Sequence, residues 1–267
     1  MHEAAPWIQV LARVGFAAKG VVYLLIGSLA LLAALGRGGQ TTDSEGALRT
    51  LLQHPFGRFL LLVIAIGLAG YAVWRFVQAI LDPERPAGND TRVVKRAAYA
   101  ISGAVHAALA LQAARLAFGV GRARGGGSGP QDWTAMLMEQ PMGRWLVIAV
   151  GVGVAVFGVM ELVGAYRTDL PKQLDLSRVG PEPRKWIVRF GRMGMAARGL
   201  VFAVMGGFLV RAAATYDASE ARGIGGALKS LQEQPQGAWL LALVAVGLMA
   251  FGLFELVQSR YRRISAA

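Results

Sequence analysis

The sequence has no cysteine and few charged residues, and acidic residues are especially scarce. Its 267 residues include 28 Lys and Arg against 16 Asp and Glu, a formal net charge of +12. The missing cysteines exclude disulfides and thiol chemistry, and they leave the redox compartment open. Hydrophobic residues make up 55% of the chain, more than the surface and core of a soluble domain normally hold. The composition therefore indicates an integral membrane protein.

Motifs of the common enzyme classes are also missing. The three histidines, His2, His54 and His106, are scattered, and neither H-E-x-x-H nor G-x-S-x-G occurs. The sequence has no acidic cluster suited to a metal, and its Gly-rich connections match no nucleotide-binding pattern. We therefore expect no enzymatic activity, no metal and no cofactor. The basic charge is not accompanied by aromatic-interleaved basic modules, so we expect no nucleic-acid binding.

Six apolar stretches are each long enough to cross a bilayer as a helix. They cover residues 14–36, 59–81, 97–119, 145–166, 193–214 and 238–259. None shows the alternation typical of a membrane β-strand, and all exceed the length of one. The sequence therefore predicts an all-α membrane protein with six transmembrane helices.

The stretches form a tandem repeat. The first, third and fifth open with RVGFAAKGVVYLLIG, RAAYAISGAVHAALA and RMGMAARGLVFAVMG, and HPFGRFLL, QPMGRWLV and QPQGAWLL introduce the others. We divide the chain into repeats of two helices at residues 1–90, 91–180 and 181–267. Because each repeat crosses the membrane twice, all three have the same orientation. This predicts three helical hairpins around a pseudo-threefold axis along the membrane normal.

A Gly-rich connection and a short apolar segment join the two helices of each repeat. The segments read GALRTLLQ, DWTAMLMEQ and GALKSLQEQ, a spacing typical of short interfacial helices on the outer side. Pro55, Pro141 and Pro235 follow the segments. We predict that each proline lies in the first turn of the return helix, where a missing N–H is harmless.

Lys and Arg are unevenly distributed between the two sides. The two tails and the 82–96 and 167–192 loops carry 15, whereas the three connections carry 8. The positive-inside rule then places both termini in the cytoplasm. The first stretch is too long for the apolar region of a signal peptide and matches the third and fifth, so we expect it to belong to the fold.

The motifs from Arg13 to Gly27 and from Pro55 to Leu60, RxGxAAKGxVYxxIG and P-x-G-R-[FW]-L, resemble those of the bacterial membrane family called domain of unknown function 1206. The resemblance covers nearly the whole chain. It implies three two-helix repeats in a bacterial inner (plasma) membrane, and it implies no particular activity. The middle repeat departs most, because Ser102 stands where the other repeats have Lys19 and Arg198.

Five charged residues lie within the apolar stretches at one level. They are Lys19, Arg75, Glu161, Arg198 and Glu255. A helix rise of roughly 1.5 Å per residue puts this charge layer about 8–9 Å below the cytoplasmic boundary. A charge near the centre of a span is costly, so we expect the two cations on outward helices to pair with the two carboxylates. With three positive and two negative charges, the layer has one net positive charge.

The layer has two interpretations. In the first, it mainly locks the repeats together, with long side chains reaching the cytoplasmic surface. In the second, it forms a polar vestibule that admits an ion or small solute. The residues that would line such a cavity are Tyr23, Tyr71, Ser102, His106, Phe157, Phe202 and Phe251.

Two functions follow. The protein binds or conducts a small ion or solute, preferably an anion, through a cavity between the repeats, as a channel or transporter would. Alternatively, it is a non-transporting scaffold that binds anionic lipid headgroups or a protein partner through its basic cytoplasmic face. That face contains Arg92, Lys95, Arg96, Arg184, Lys185, Arg189 and Arg192.

Overall fold

The computed structural model describes residues 6–81, 92–120, 129–177 and 179–263, and it is all-helical. Six long helices are α1 (Pro6–Ala34), α3 (Gly57–Leu81), α4 (Arg92–Phe118), α6 (Gly143–Arg167), α8 (Pro181–Thr215) and α10 (Gly237–Tyr261). Shorter helices are α2 (Ser44–Leu52), α5 (Pro130–Met138), α7 (Leu170–Gln173) and α9 (Ile224–Gln232), and a 3₁₀ turn spans Ala218–Glu220. No strand occurs within these ranges, apart from an isolated bridge between Leu174 and Arg262.

Each long helix is long and apolar enough to cross a membrane, which confirms the six predicted spans of a multi-pass membrane protein. α8 differs most from its prediction, because it begins at Pro181 and not at residue 193. Pro181 occupies the first helical position and Glu182 follows in the first turn, and both favour a helix start. The extra turns are rich in charge, so hydropathy alone does not detect them.

The predicted position of the three prolines is wrong. α3, α6 and α10 begin at Gly57, Gly143 and Gly237, two residues after each proline. The residues between them, Phe56, Met142 and Gln236, have φ of 60–63°, a left-handed conformation that no helix can include. A side chain at each of the three glycines would collide with the backbone of the preceding short helix. The prolines therefore belong to a tight turn between two helices.

The long helices pack side by side in an open ring. α1 packs against α3 and α10, α8 packs against α6 and α10, and α3 packs against α4. Over the described residues, α4 and α6 share no comparable packed interface, although they belong to the same repeat. In spatial order the ring therefore runs α4, α3, α1, α10, α8, α6.

Two of the short helices fill one end of the ring. Leu48 of α2 and Leu228 of α9 are fully buried in the main core, together with Ile26 and Leu241. For helices in a bilayer such side chains stabilise the fold through close van der Waals packing, because lipid tails are as apolar as leucine. α5 contributes less, because Trp133 remains largely exposed.

At the opposite end, the segment that follows α6 packs against α10. Leu170 and Leu174 pack against Phe254 in a separate apolar cluster. The Asp175 N–H donates to the carbonyl of Tyr261 at 2.7 Å. The end of α10 is therefore fixed to the loop between the middle and last repeats.

Candidate functional site

Lys19 and Glu255 form a buried ion pair in the charge layer. The Lys19 Nζ donates to Glu255 Oε1 at 3.0 Å, and only 7% and 3% of the two side chains are exposed. Lys19 Nζ also lies 5.3 and 5.0 Å from the ring centres of Tyr71 and Phe251. Gln258 donates to the same carboxylate oxygen at 3.3 Å. The ammonium group is therefore held by one carboxylate and two aromatic faces.

Arg198 and Glu161 form a second pair, which is more accessible. Their Nη2 and Oε2 atoms are 2.7 Å apart, with 13% and 16% of the side chains exposed. The guanidinium carbon lies 4.4 Å from the ring centre of Phe251 and 5.6 Å from that of Phe157. Both cations, each on the first long helix of its repeat, thus have a carboxylate partner on the second long helix of another repeat.

Arg75, the third cation, has polar partners but no carboxylate among the described residues. Its Nε and Nη2 donate to the hydroxyl of Tyr71 at 2.8 and 2.5 Å, and its Nη1 donates to Gln78 Oε1 at 2.9 Å. Its guanidinium carbon lies 5.2 Å from the ring centre of Tyr99 on α4. The remaining N–H groups of the guanidinium have no hydrogen-bond partner among the described residues.

Three ring pairs lie next to the charges, at equivalent positions of the repeats. Tyr71 contacts His106 at 4.5 Å between ring centres, Phe157 contacts Phe202 at 5.4 Å, and Phe251 contacts Tyr23 at 4.8 Å. Each pair joins the second long helix of one repeat to the first long helix of another. The charges and rings therefore form three related interfaces between the repeats.

His106 is oriented by its own helix. Its Nδ1 lies 2.7 Å from the carbonyl of Ser102, and because a carbonyl only accepts, Nδ1 carries the proton. Lys19, Arg75 and Arg198 are all close enough to the imidazole to interact with it electrostatically. Two of these three cations, Lys19 and Arg198, are paired with carboxylates.

The structure brings the sequence-predicted residues together, but three of the seven predicted cavity-lining residues are buried, whereas Ser102, His106 and Phe202 are half-buried. Tyr23, Tyr71 and Phe251 are buried in packed cores, whereas Phe157 is 39% exposed. Sequence reasoning did not assign Tyr99 to Arg75, or Arg262 to Gln258, to whose Oε1 it donates. The recurrence of Gln78 and Gln258, each three residues after the charge, was a signal for such partners.

A basic groove lies outside the charge layer, on the N-terminal turns of α8. It has a volume of about 600 Å³ and is lined by Val179, Pro181, Arg184, Lys185, Val188, Arg189 and Arg192. Lys185 pairs with Glu182 at 2.6 Å. Of the other predicted basic residues, the side chains of Arg92 and Lys95 lie outside the described part of the structure, and Arg96 donates to the carbonyl of Ala79 at 2.6 Å.

Three segments of the chain, residues 14–82, 97–168 and 193–262, match one and the same family, described as Domain of Unknown Function (DUF1206). The chain belongs to this family. An uncharacterized protein of Bacillus subtilis (strain 168), YxxB, is 35% identical over 264 residues, covering 99% of this chain and 94% of the relative. No solved structure matches the chain.

The three DUF1206 segments explain how the ion pairs connect the fold. Lys19 lies in the first segment and Glu255 in the third, whereas Arg198 lies in the third and Glu161 in the second. Neither pair lies within one repeat. Each pair therefore holds two DUF1206 repeats together, and Arg75 lies at the remaining interface, between the first and second.

Proposed function

We propose that this DUF1206 protein binds a small anion or an anionic headgroup in the charge layer between its repeats, at Arg75. The observation that carries the proposal is the difference between Arg75 and the other two cations. Lys19 and Arg198 each have a carboxylate within 3.0 Å, and Arg75 has none among the described residues. A charge of this kind in a low-dielectric site favours an anionic ligand.

The hydrogen-bonding groups around Arg75 support an anion ligand. The unused N–H groups of the guanidinium suit bidentate contact with a phosphate or carboxylate. The Tyr71 hydroxyl accepts from Arg75, so its own proton is available to donate. A ligand at this point would bring the net charge of the layer close to zero.

The packing supports binding in preference to conduction along the axis. Lys19 and Glu255 are buried against each other, and Leu48 and Leu228 fill the end of the ring opposite the termini. A pore on this axis would need both regions to open. We therefore expect no steady flux of chloride or protons through the protein in vesicles.

We also propose how the three repeats are arranged and how they are oriented in the membrane. Three hairpins are arranged around a pseudo-threefold axis in a bacterial plasma membrane, with both termini cytoplasmic and α2, α5 and α9 on the outer side. The equivalent ring pairs at the three interfaces support the axis. The excess of Lys and Arg in the tails and the 82–96 and 167–192 loops supports the orientation.

The test compares the thermal stability of purified variants with and without a defined anionic probe. Dihexanoyl phosphatidylglycerol should raise the melting temperature of the wild type more than dihexanoyl phosphatidylcholine does, because only the first has a net negative headgroup. Arg75→Gln should reduce the difference, and Arg75→Gln combined with Arg184→Glu and Arg189→Glu separates this site from the basic groove. Arg211→Gln is the matched control, because Arg211 is exposed and pairs with Glu220. An unchanged difference in Arg75→Gln would refute the site.

The basic groove on α8 supports a second function, binding of anionic lipid headgroups at the cytoplasmic face. Arg184, Arg189 and Arg192 are exposed and line this groove, and the guanidinium carbon of Arg189 lies 5.1 Å from the ring centre of Trp186. A cationic helix with an aromatic residue at this position is typical of a membrane-surface contact. This function requires no ligand in the charge layer.

A further inference from the structure

The middle repeat differs from the others because its two long helices are apart. α1 packs on α3 and α8 packs on α10, whereas α4 and α6 share no comparable interface over the described residues. The exposure of equivalent side chains on the return helices shows the effect. Phe157 is 39% exposed, but Tyr71 and Phe251 are exposed by 0% and 2%. Met160 is 64% exposed, and its equivalents in the other repeats are buried.

The cause of this opening is found in two positions of α4. Gly15 and Gly194 lie against the backbones of Tyr71 and Phe251, and a Cβ on Gly15 would lie 2.7 Å from Tyr71 Cα. The equivalent residue of the middle repeat is Ala98, which has that Cβ. A hairpin closed in the same way would therefore clash.

The second position acts in the same direction. The Cβ of Ala18 packs directly on Gly67, and the Cβ of Ala197 packs on Gly247. The middle repeat keeps the glycine, as Gly153, but has Ile101 in place of the alanine. Small residues are what allow close approach of two membrane helices, so Ile101 keeps α4 and α6 apart. A Cβ added to Gly153 would meet nothing within 4 Å.

The opening has apolar walls and a charged end. Ile101 and Val105 on α4, and Val150 and Met160 on α6, are exposed apolar side chains. The gap between these two helices extends to the level of Ser102 and Glu161, where the charge layer begins. At this level the Arg75 guanidinium donates to the hydroxyl of the buried Tyr71 and lies against the ring of Tyr99 on α4. An apolar channel that leads to an unbalanced cation matches an amphiphile with a negative head.

We propose that a phospholipid with an anionic headgroup enters the protein sideways between α4 and α6. Its acyl chain lies against Phe157 and Val150, and its phosphate is directed toward Arg75. This inference rests on the proposed anion site and assigns its ligand to the bilayer, not to the aqueous phase. The choice of a lipid over a partner helix follows from charge: a helix would have to bring its own carboxylate to this level, whereas an anionic lipid already has the charge and the apolar chain.

The decisive variant restores the small residues. Ala98→Gly with Ile101→Ala gives α4 the same two residues that α1 has at Gly15 and Ala18. The change should let the middle hairpin close, without touching Arg75. Wild type and variant are placed in nanodiscs of equal parts phosphatidylglycerol and phosphatidylcholine, and the lipid retained on the released protein is counted by native mass spectrometry.

Wild type should retain phosphatidylglycerol in preference, and the double variant should retain about tenfold less of it, which corresponds to about 1.4 kcal/mol of binding free energy. Arg75→Gln should keep the retained lipid but lose the preference for phosphatidylglycerol. If the double variant retains lipid like the wild type, lateral entry is wrong. If only Arg75→Gln behaves like the wild type, the anion site is wrong and the opening stands. A second copy of the chain in place of lipid would overturn the proposal.

Discussion

Glu255 accepts a 3.0 Å hydrogen bond from Lys19, which joins two residues 236 positions apart in the sequence. This pair connects the first long helix to the last, and it explains why a lysine occurs in an apolar stretch. The neighbouring oxygen of the same carboxylate has no hydrogen-bond partner among the described residues. Only one of the two carboxylate oxygens of Glu255 is therefore paired. Mutations of Glu255 and of Lys19 should consequently change the free energy of unfolding by different amounts.

Removal of the carboxylate should be strongly destabilising. Glu255→Gln leaves Lys19 charged and buried without a counterion, which typically costs about 3–5 kcal/mol. Glu255→Gln combined with Lys19→Met should recover part of the loss, because the unpaired charge is gone. Thermal melts in detergent measure both effects. Asp169→Asn is the control, because its pair with Lys172 is exposed and should change stability by no more than about 1 kcal/mol.

Glu161→Gln should lower the melting temperature less than Glu255→Gln does. The Arg198–Glu161 pair is more exposed than the Lys19–Glu255 pair, so water can solvate part of the charge that remains. The same melts rank the two variants. Equal or reversed losses would contradict the burial difference on which the ranking depends.

Equivalent glycines should differ in their tolerance of a methyl group. Gly67→Ala places a Cβ 2.5 Å from that of Ala18, so the first hairpin must open at a cost of about 1–3 kcal/mol. Gly153→Ala, at the same position of the middle repeat, should be neutral or stabilise α6 by up to about 1 kcal/mol through helix propensity. Thermal melts of the two variants, measured in parallel, show whether only Gly67→Ala loses stability. Similar losses in both would mean that the middle hairpin is as closed as the first.

Single cysteines should report the orientation. Ser177 and Ser219 are exposed at opposite ends of the helices, and the chain has no other thiol. A membrane-impermeant maleimide applied to intact cells should label Ser219→Cys, whereas Ser177→Cys should react only after the membrane is permeabilised. The reverse result would place the basic loops outside. The sequence also predicts that a reporter after Ala267 is cytoplasmic and that a tag at Gly126 is accessible from outside. Both positions lie outside the described residues.

Charge reversal in the basic groove should weaken attraction to anionic lipid. Arg184→Glu with Arg189→Glu should reduce the phosphatidylglycerol retained at low salt and have less effect at high salt, because exposed charges are screened. Arg260→Glu reverses an exposed charge at the same end of the molecule, away from the groove, and serves as the control. Equal losses from both variants would indicate a general charge effect and not a specific site.

Much of this fold could be predicted from the sequence because the repeats align without gaps through the helices that contain the charge layer. Aligning the motifs at Arg13 and Arg192 places Lys19 and Arg198 at one level, and a second alignment places Glu161 and Glu255 opposite them. Depth in a membrane follows directly from such counting, since helix rise is constant. The sequence does not show which cation pairs with which carboxylate, because the pairing depends on the spatial order of the six helices.

The open middle hairpin could not be predicted in the same way. The substitutions at Ala98 and Ile101 are visible in the alignment, but each is a conservative change in an apolar helix. Their effect appears only once Gly15 is known to touch the Tyr71 backbone and Ala18 to touch Gly67. The start of α8 was missed for another reason: its charged first turns are stabilised by their N-terminal residues and not by burial.

The order of the long helices in space differs from their order in the sequence. Along the sequence, α4 and α6 are neighbours and α1 and α10 are the furthest apart, but in space the packed interface joins α1 to α10 and leaves α4 beside a gap. Cutting the polypeptide between α4 and α5 would therefore break no interface between long helices, whereas separating its two ends would break one of the most extensive.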